Sequence, residues 1–221
     1  MLRYYGITDT IHGWIKNFLE NRSQYVAVGN QVSEQSKVTS GIPQGSVLGP
    51  LLFVVYINDF PTRLKSNVYI FADDTKVFTK KTGKQWEKEL DGDLRELEKW
   101  SETWLLNFNP SKCVHMRLTR RPNEPIPEKC LMDNKLKQRV KLPIVEAKKD
   151  LGVTVHNKLN FREHIGNCIK KANKMVGIIR RCFTNLNRDI FNPLFTALAR
   201  SHLEYAQSVW SPITKEDMIS G

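Results

Sequence analysis

The four cysteines of this chain, at positions 113, 130, 168 and 182, include no C-x-x-C pair. Cys113-x-His115 and His164-x₃-Cys168 have only generic zinc half-site spacing, and nothing in the sequence joins them. Free, reduced, mostly buried cysteines of an intracellular protein are the better reading, so the expected setting is nucleus or cytoplasm, not the secretory route. Long apolar runs are missing too. The longest, Leu51 to Ile57, is too short to span a bilayer, so no membrane partner is expected. The opening "MLRYYGITDT" has no apolar core of the kind a signal peptide needs. Internal repeats and low-complexity tracts are absent, and the five histidines form no nucleophile arrangement. Charge balance is missing from the later part. The first 75 residues carry six basic and six acidic side chains, whereas residues 76–221 carry the whole net charge of +11. A solvated basic face explains such asymmetry in part, but it also suits a polyanionic partner, and nucleic acid is the expected one.

At 221 residues and 40% hydrophobic content, the chain can bury a sizeable core. Ile11, Trp14, Ile15, Phe18 and Leu19 recur at helical spacing, and "QYVAVGN" then alternates into a short strand turning at Gly29-Asn30. The loop "VTSGIPQGSVLGP" follows, and Leu48, Leu51, Leu52, Val55 and Tyr56 continue as a helix with Ser46 as N-cap. "VYIFADDTKVF" reads as two strands around a tight Asp-Asp turn. Trp86, Leu90, Leu94, Leu97, Trp100 and Trp104 mark an amphipathic helix with a charged outer face. "CVHMRL" looks like a returning strand, and the Pro- and Lys-rich residues 120–149 read as a meander or connector with strand-like pieces such as "RVKLPIV".

In the last third, Ile165, Ile169, Ala172, Val176, Ile179 and Phe183 form one apolar stripe, with Lys170, Lys171, Lys174 and Arg181 largely elsewhere on the wheel. Between residues 158 and 188 there are eight basic side chains and one acidic one. A further helix is expected to start at Asn192 as N-cap, with Pro193 at its first position.

Asp73 and Asp74 are the chemical puzzle. Adjacent carboxylates repel, and burying either alone is costly. Taken by themselves they fit a solvated hairpin turn, or a paired-carboxylate metal site at a hairpin tip.

The stretches "SGIPQGSVLGPLLFVVYINDF", "VYIFADDTKVF", "WLLNFNPSKC", "DLGVTV", "NFREHI" and "LEYAQSVWSP" occur in one order across the chain. In them the chain resembles the reverse transcriptases of non-LTR retrotransposons, most closely the jockey-like group. The resemblance implies an α+β right-hand polymerase fold. Residues 1–120 would be a partial palm, 121–157 a palm–thumb connector with a primer-grip hairpin, and 158–221 a basic helical thumb. It also implies nucleotidyl transfer with two Mg²⁺ (or Mn²⁺) ions, of which Asp73 and Asp74 would hold part, with Phe71 where retroviral relatives carry tyrosine. Gly41, Pro43, Gln44 and Gly45 would cradle the incoming nucleotide and templating base, and Lys112 would donate a proton to pyrophosphate. Leu151, Gly152 and Val153 would form the primer grip, and Lys170, Lys171, Lys174 and Arg181 would hold the nucleic-acid backbone. The implied partners are an RNA template, a DNA primer and deoxynucleoside triphosphates.

One departure matters. The family's third metal-binding aspartate and its fingers belong to sequence preceding "LRYYGI", and neither Asp9 nor Asp59 matches that aspartate. The expectation is a reverse transcriptase fragment, inactive as an isolated chain, which a polypeptide carrying the fingers and the missing palm strand would complete. The competing class is a non-enzymatic nucleic-acid-binding remnant. Metal-dependent primer extension separates the two.

Overall fold

The computed structural model describes residues 2–81, 83, 85–119 and 125–211. Residues 121–124 of the expected 121–157 connector and the end of the last matched stretch, Pro212 onward, lie outside them. The chain divides into two compact units, Met1–Asn107 and Phe108–Gly221. Among the described residues the strands pair into five two-stranded antiparallel ribbons. No helix among them is long and apolar enough to cross a membrane.

The first unit opens with a 3₁₀ turn, Leu2–Tyr5, and helix α1, Asp9–Leu19. Of the predicted α1 stripe only Ile15 is buried, while Ile11 and Trp14 are exposed. Strands β1 (Ser23–Gln24) and β4 (Ser36–Lys37) enclose the tight hairpin of β2 (Ala27–Val28) and β3 (Gln31–Val32), which turns at Gly29-Asn30 as the sequence predicts. Helix α2, Leu48–Ile57, is apolar all round. It buries Gly49, Leu52 and Ile57 and leaves Leu51 and Val54 exposed.

A 3₁₀ turn, Phe60–Arg63, leads into the ribbon of β5 (Asn67–Phe71) and β6 (Asp74–Phe78). Helix α3, Trp86–Trp104, has the predicted bounds and buries Leu97 and Trp100. Each such side chain is worth roughly 1.5–3 kcal/mol when fully removed from water. The Trp100 ring meets Phe60 edge-on at 4.9 Å, and its Nε1–H donates to Asp59. Asp59 therefore has a packing role. The Tyr56 hydroxyl donates to the Trp104 carbonyl, and burial, then the Asp59 charge, raises its pKa.

In the second unit "CVHMRL" is not a full strand. His115 makes a single parallel bridge to Ile144, donating its N–H to Pro143 and accepting from Val145. Pro143 has no N–H to extend the ladder. Ribbon β7 (Cys130–Asp133) with β8 (Gln138–Lys141) and ribbon β9 (Ala147–Asp150) with β10 (Val153–His156) follow. Helix α4, Arg162–Cys182, buries Ile165, Cys168, Ala172 and Ile179 of the predicted stripe and its flank, whereas Phe183 is exposed at its end.

Helix α5 spans Arg188–Leu194 rather than starting at Asn192. The Asn187 side chain accepts the Ile190 N–H at 2.9 Å and caps the helix a turn earlier. Pro193 then lies inside it, and a π-helical stretch, Phe195–Arg200, takes over two residues later, as a missing backbone donor permits. Short helices α6 (Ser201–Glu204) and α7 (Gln207–Trp210) close the unit. Val153, Ile165 and Trp210 form a core cluster with Phe161, Ile169 and Ala206 around it. The cysteines are less buried than expected: Cys168 is buried, Cys113 and Cys130 are partly buried, and Cys182 is exposed.

Candidate active-site hairpin and nucleic-acid interface

The β5–β6 ribbon pairs Phe71 with Asp74, so the two loop residues are Ala72 and Asp73, and Asp74 opens β6. The expected Asp-Asp turn is shifted by one residue. Two-residue hairpin loops need a positive φ at their first central position, and Ala72 supplies it at +50°. Asp73 and Asp74 are both exposed at the tip, so water screens their mutual repulsion. Tyr69, Phe71 and Phe78 share one exposed face, with Tyr69 and Phe78 stacked at 5.3 Å, and Val68, Ile70 and Val77 are half-buried on the other.

Asp93, on α3, anchors the base of this hairpin and was missed at the sequence level. It is 2% exposed, and its carboxylate accepts the N–H groups of Lys65 at 2.9 Å and Ser66 at 2.8 Å. These residues immediately precede β5. Nothing in the helical pattern separates Asp93 from the other acids of α3; only the fold of residues 64–66 gives it a partner.

The loop Gly41–Gly45 is a second grouping, in which Gly41 and Gly45 have φ of +77° and +78°. Gln44 is exposed, and Pro43 is half-buried with its carbonyl accepting from Ser46 Oγ at 2.7 Å. Ser46 Oγ also accepts the Gly49 N–H at 3.0 Å, so it caps α2 as predicted although the helix is bounded one residue later. A Cβ on Gly49 would stand 2.9 Å from Ser46 Oγ and 3.1 Å from the Pro43 oxygen, so only glycine lets the loop fold down onto the helix. Arg22, which the sequence did not single out, ties this loop to α1 by donating to the Leu19, Ser40 and Gly41 carbonyls.

The remaining predicted residues belong to the second unit. Lys112 is exposed in the Asn109–Lys112 turn, its N–H bonded to the Asn109 carbonyl at 3.0 Å. Leu151 and Gly152 are the two turn residues between β9 and β10, and Val153 is buried behind them. Lys170, Lys171, Lys174 and Arg181 are all exposed on α4.

His164 and Cys168 meet inside this unit, Nε2 to Sγ at 3.4 Å, while His164 Nδ1 accepts the Thr154 N–H at 3.2 Å. With Nδ1 accepting, the neutral ring carries its proton on Nε2. Burial, reinforced by Lys171, lowers the imidazole pKa, and burial raises that of the Cys168 thiol despite Lys171. Both shifts favour the neutral form of the group.

The family model for reverse transcriptase (RNA-dependent DNA polymerase) matches residues 4–157, more than half of the chain and the span that holds both loop and hairpin. The chain belongs to the reverse transcriptase family. It is 32% identical over 216 residues to the RNA-directed DNA polymerase from mobile element jockey of Drosophila melanogaster, covering 86% of this chain and 23% of that protein. It is 29% identical over 174 residues to the probable RNA-directed DNA polymerase from transposon BS of the same organism, covering 73% and 18%. To the probable RNA-directed DNA polymerase from transposon X-element it is 30% identical over 159 residues, covering 69% and 17%. This reverse transcriptase chain thus spans less than a quarter of the length of these curated relatives. No solved structure matches it.

The donor chemistry at the hairpin tip suits a hard divalent cation, which takes one or two carboxylates alongside substrate phosphates and water. Among the described residues no group of three or more His, Cys, Asp or Glu side chains gathers into a metal site. Asp73 and Asp74 fit as two ligands of such an ion, not as a complete protein cage.

Proposed function

We propose that this chain is part of an RNA-directed DNA polymerase of a non-LTR retrotransposon, contributing palm elements from its first unit and a basic thumb from its second. The observation that carries this reading is the pair Asp73–Asp74 at an exposed hairpin tip within the matched residues 4–157. When bound, two Mg²⁺ or Mn²⁺ ions supply activation of the primer hydroxyl and neutralisation of the departing pyrophosphate. Asp73 and Asp74 would hold them in part, while Phe71, paired with Asp74, flanks the site. The Gly41–Gly45 backbone, Pro43 and the Gln44 amide would orient the incoming nucleotide against the templating base. Lys112 would protonate the leaving pyrophosphate. Leu151, Gly152 and Val153 would seat the primer end. Lys170, Lys171, Lys174 and Arg181 would neutralise phosphates of an RNA–DNA duplex. The proposed setting is intracellular.

We further propose that another polypeptide segment supplies the third carboxylate and covers part of the first unit. Support comes from α2, which is apolar all round yet exposes Leu51 and Val54, and from the exposed Tyr69, Phe71 and Phe78. Primer extension tests this. The 221-residue chain alone should extend a DNA primer on RNA at least about 10³-fold more slowly than a complex completed by the preceding segment of an intact jockey-like relative. That corresponds to about 4 kcal/mol of lost transition-state stabilisation. Asp73→Ala in the completed complex should abolish extension. Robust extension by the chain alone would overturn the missing-ligand reading, and a completed complex indifferent to Asp73→Ala would overturn the assignment of the hairpin.

A further inference from the structure

Leu151 and Gly152 form a two-residue hairpin loop with φ of +43° and +87°. Loops with two positive φ values favour Asn-Gly or Asp-Gly, because most side chains clash with the backbone in the left-handed region. Leucine is a poor residue for the first of these positions. Core packing does not explain it either, since Leu151 is 39% exposed. A residue held in a sparsely populated conformation persists only when its surroundings over-determine it.

The Tyr205 hydroxyl donates to the Leu151 carbonyl at 2.9 Å, and the Tyr205 ring lies so close to Gly152 that a Cβ there would stand 2.8 Å from Cε1. Tyr205 is itself fixed: its own carbonyl accepts the Trp210 Nε1–H at 2.7 Å, and Trp210 is buried against Val153 and Ile165. On the other side of the turn, the Thr154 N–H is held by His164. The loop is clamped from the helical part of the unit, more than fifty residues away in sequence.

We propose that Tyr205 is the positioning residue of the primer-grip turn. It holds the Leu151 carbonyl so that an exposed leucine, kept where Asn would be easier, presents an apolar contact to the sugar at the recessed 3′ end of a DNA primer. This rests on the primer-grip reading above and adds to it the residue that sets the turn and the chemistry of the contact.

The experiment is fluorescence-anisotropy binding of the 221-residue chain to two RNA–DNA duplexes, one blunt and one with a recessed primer 3′ end, with thermal melting in parallel. Wild type should favour the recessed end. Tyr205→Phe, which keeps the ring and loses the hydroxyl, should cut recessed-end affinity three- to tenfold, leave blunt-duplex affinity unchanged and lower the melting temperature. Leu151→Asn should raise the melting temperature and yet lose the end preference. Combining the two should restore the melting temperature of Tyr205→Phe without restoring the preference. Full end preference in Tyr205→Phe or a lower melting temperature in Leu151→Asn would each overturn the proposal. Failure of the reading it rests on has a separate signature: a wild type that binds both duplexes equally, which would overturn the primer-grip reading and this proposal with it.

Discussion

His164 is 4% exposed, with Nδ1 accepting a backbone N–H, Nε2 against the Cys168 sulfur and its ring edge-on to Trp210 at 5.2 Å. Its pKa is lowered from the ordinary 6.5 by burial, and further by the charge of Lys171. The unfolded chain therefore binds a proton near pH 6.5 that the folded chain refuses. The stabilisation is complete above about pH 6.5 and is lost as pH falls from there towards the depressed folded value. His115, lowered chiefly by burial and also by Lys129, acts in the same direction. Urea unfolding between pH 7.5 and 5.5 should show stability falling with acid, each histidine contributing a slope of at most about 1.4 kcal/mol per pH unit. His164→Asn keeps an acceptor for Thr154 and cannot titrate, so it should flatten that slope without removing the His115 share. An unchanged slope would mean that His164 is not held neutral. Tyr205 and Asp93 belong to the same scale, each placing a turn through one side chain bonded to backbone.

At the scale of the element, α4 has two faces with separate tasks. Ile165, Ala172 and Ile179 face the core, while Lys170, Lys171, Lys174 and Arg181 remain in water. Exposed cations contribute little to stability but release counterions when they meet phosphates. Binding to single-stranded RNA through about five phosphate contacts should give a log K against log salt slope of roughly −3.5. Changing all four cations to glutamate should remove most of the affinity at physiological salt and leave the far-ultraviolet spectrum of α4 unchanged. Salt-insensitive binding, or binding that survives the four changes, would count against the thumb assignment. The π-helical stretch after Pro193 illustrates the converse: an irregular element follows one missing N–H, and the cap at Asn187 outweighs the start that proline favours.

For the molecule as a whole, the first unit leaves much apolar surface in water, including Leu51, Val54, Tyr69 and Phe71. Apolar patches and unpaired ribbon edges recruit other chains. Light scattering after size-exclusion chromatography should show concentration-dependent self-association of the 221-residue chain. Leu51→Glu with Val54→Lys should reduce it, as should the completing segment invoked above. A chain that stays monomeric at every concentration would sink the inference that this surface is made to be covered.

Much of this was legible in the sequence because its causes are local. The period of α3, the stripe of α4, the Ser46 cap and the Gly29-Asn30 turn follow from neighbours a few residues apart. The family followed from the order of its motifs, since "GIPQG" and "FADD" carry backbone constraints and charges that few other arrangements would keep together. Tertiary structure alone decided the rest. It chose Asp93 among the acids of α3 by bringing residues 64–66 to it, and gave Arg22 its loop. It put Tyr205 on Leu151 and excluded "CVHMRL" from a sheet through Pro143. Each of these depends on which backbone N–H or carbonyl has no partner nearby in the chain. That is settled only when distant segments pack, because a buried polar group must be satisfied by whatever the fold brings within reach.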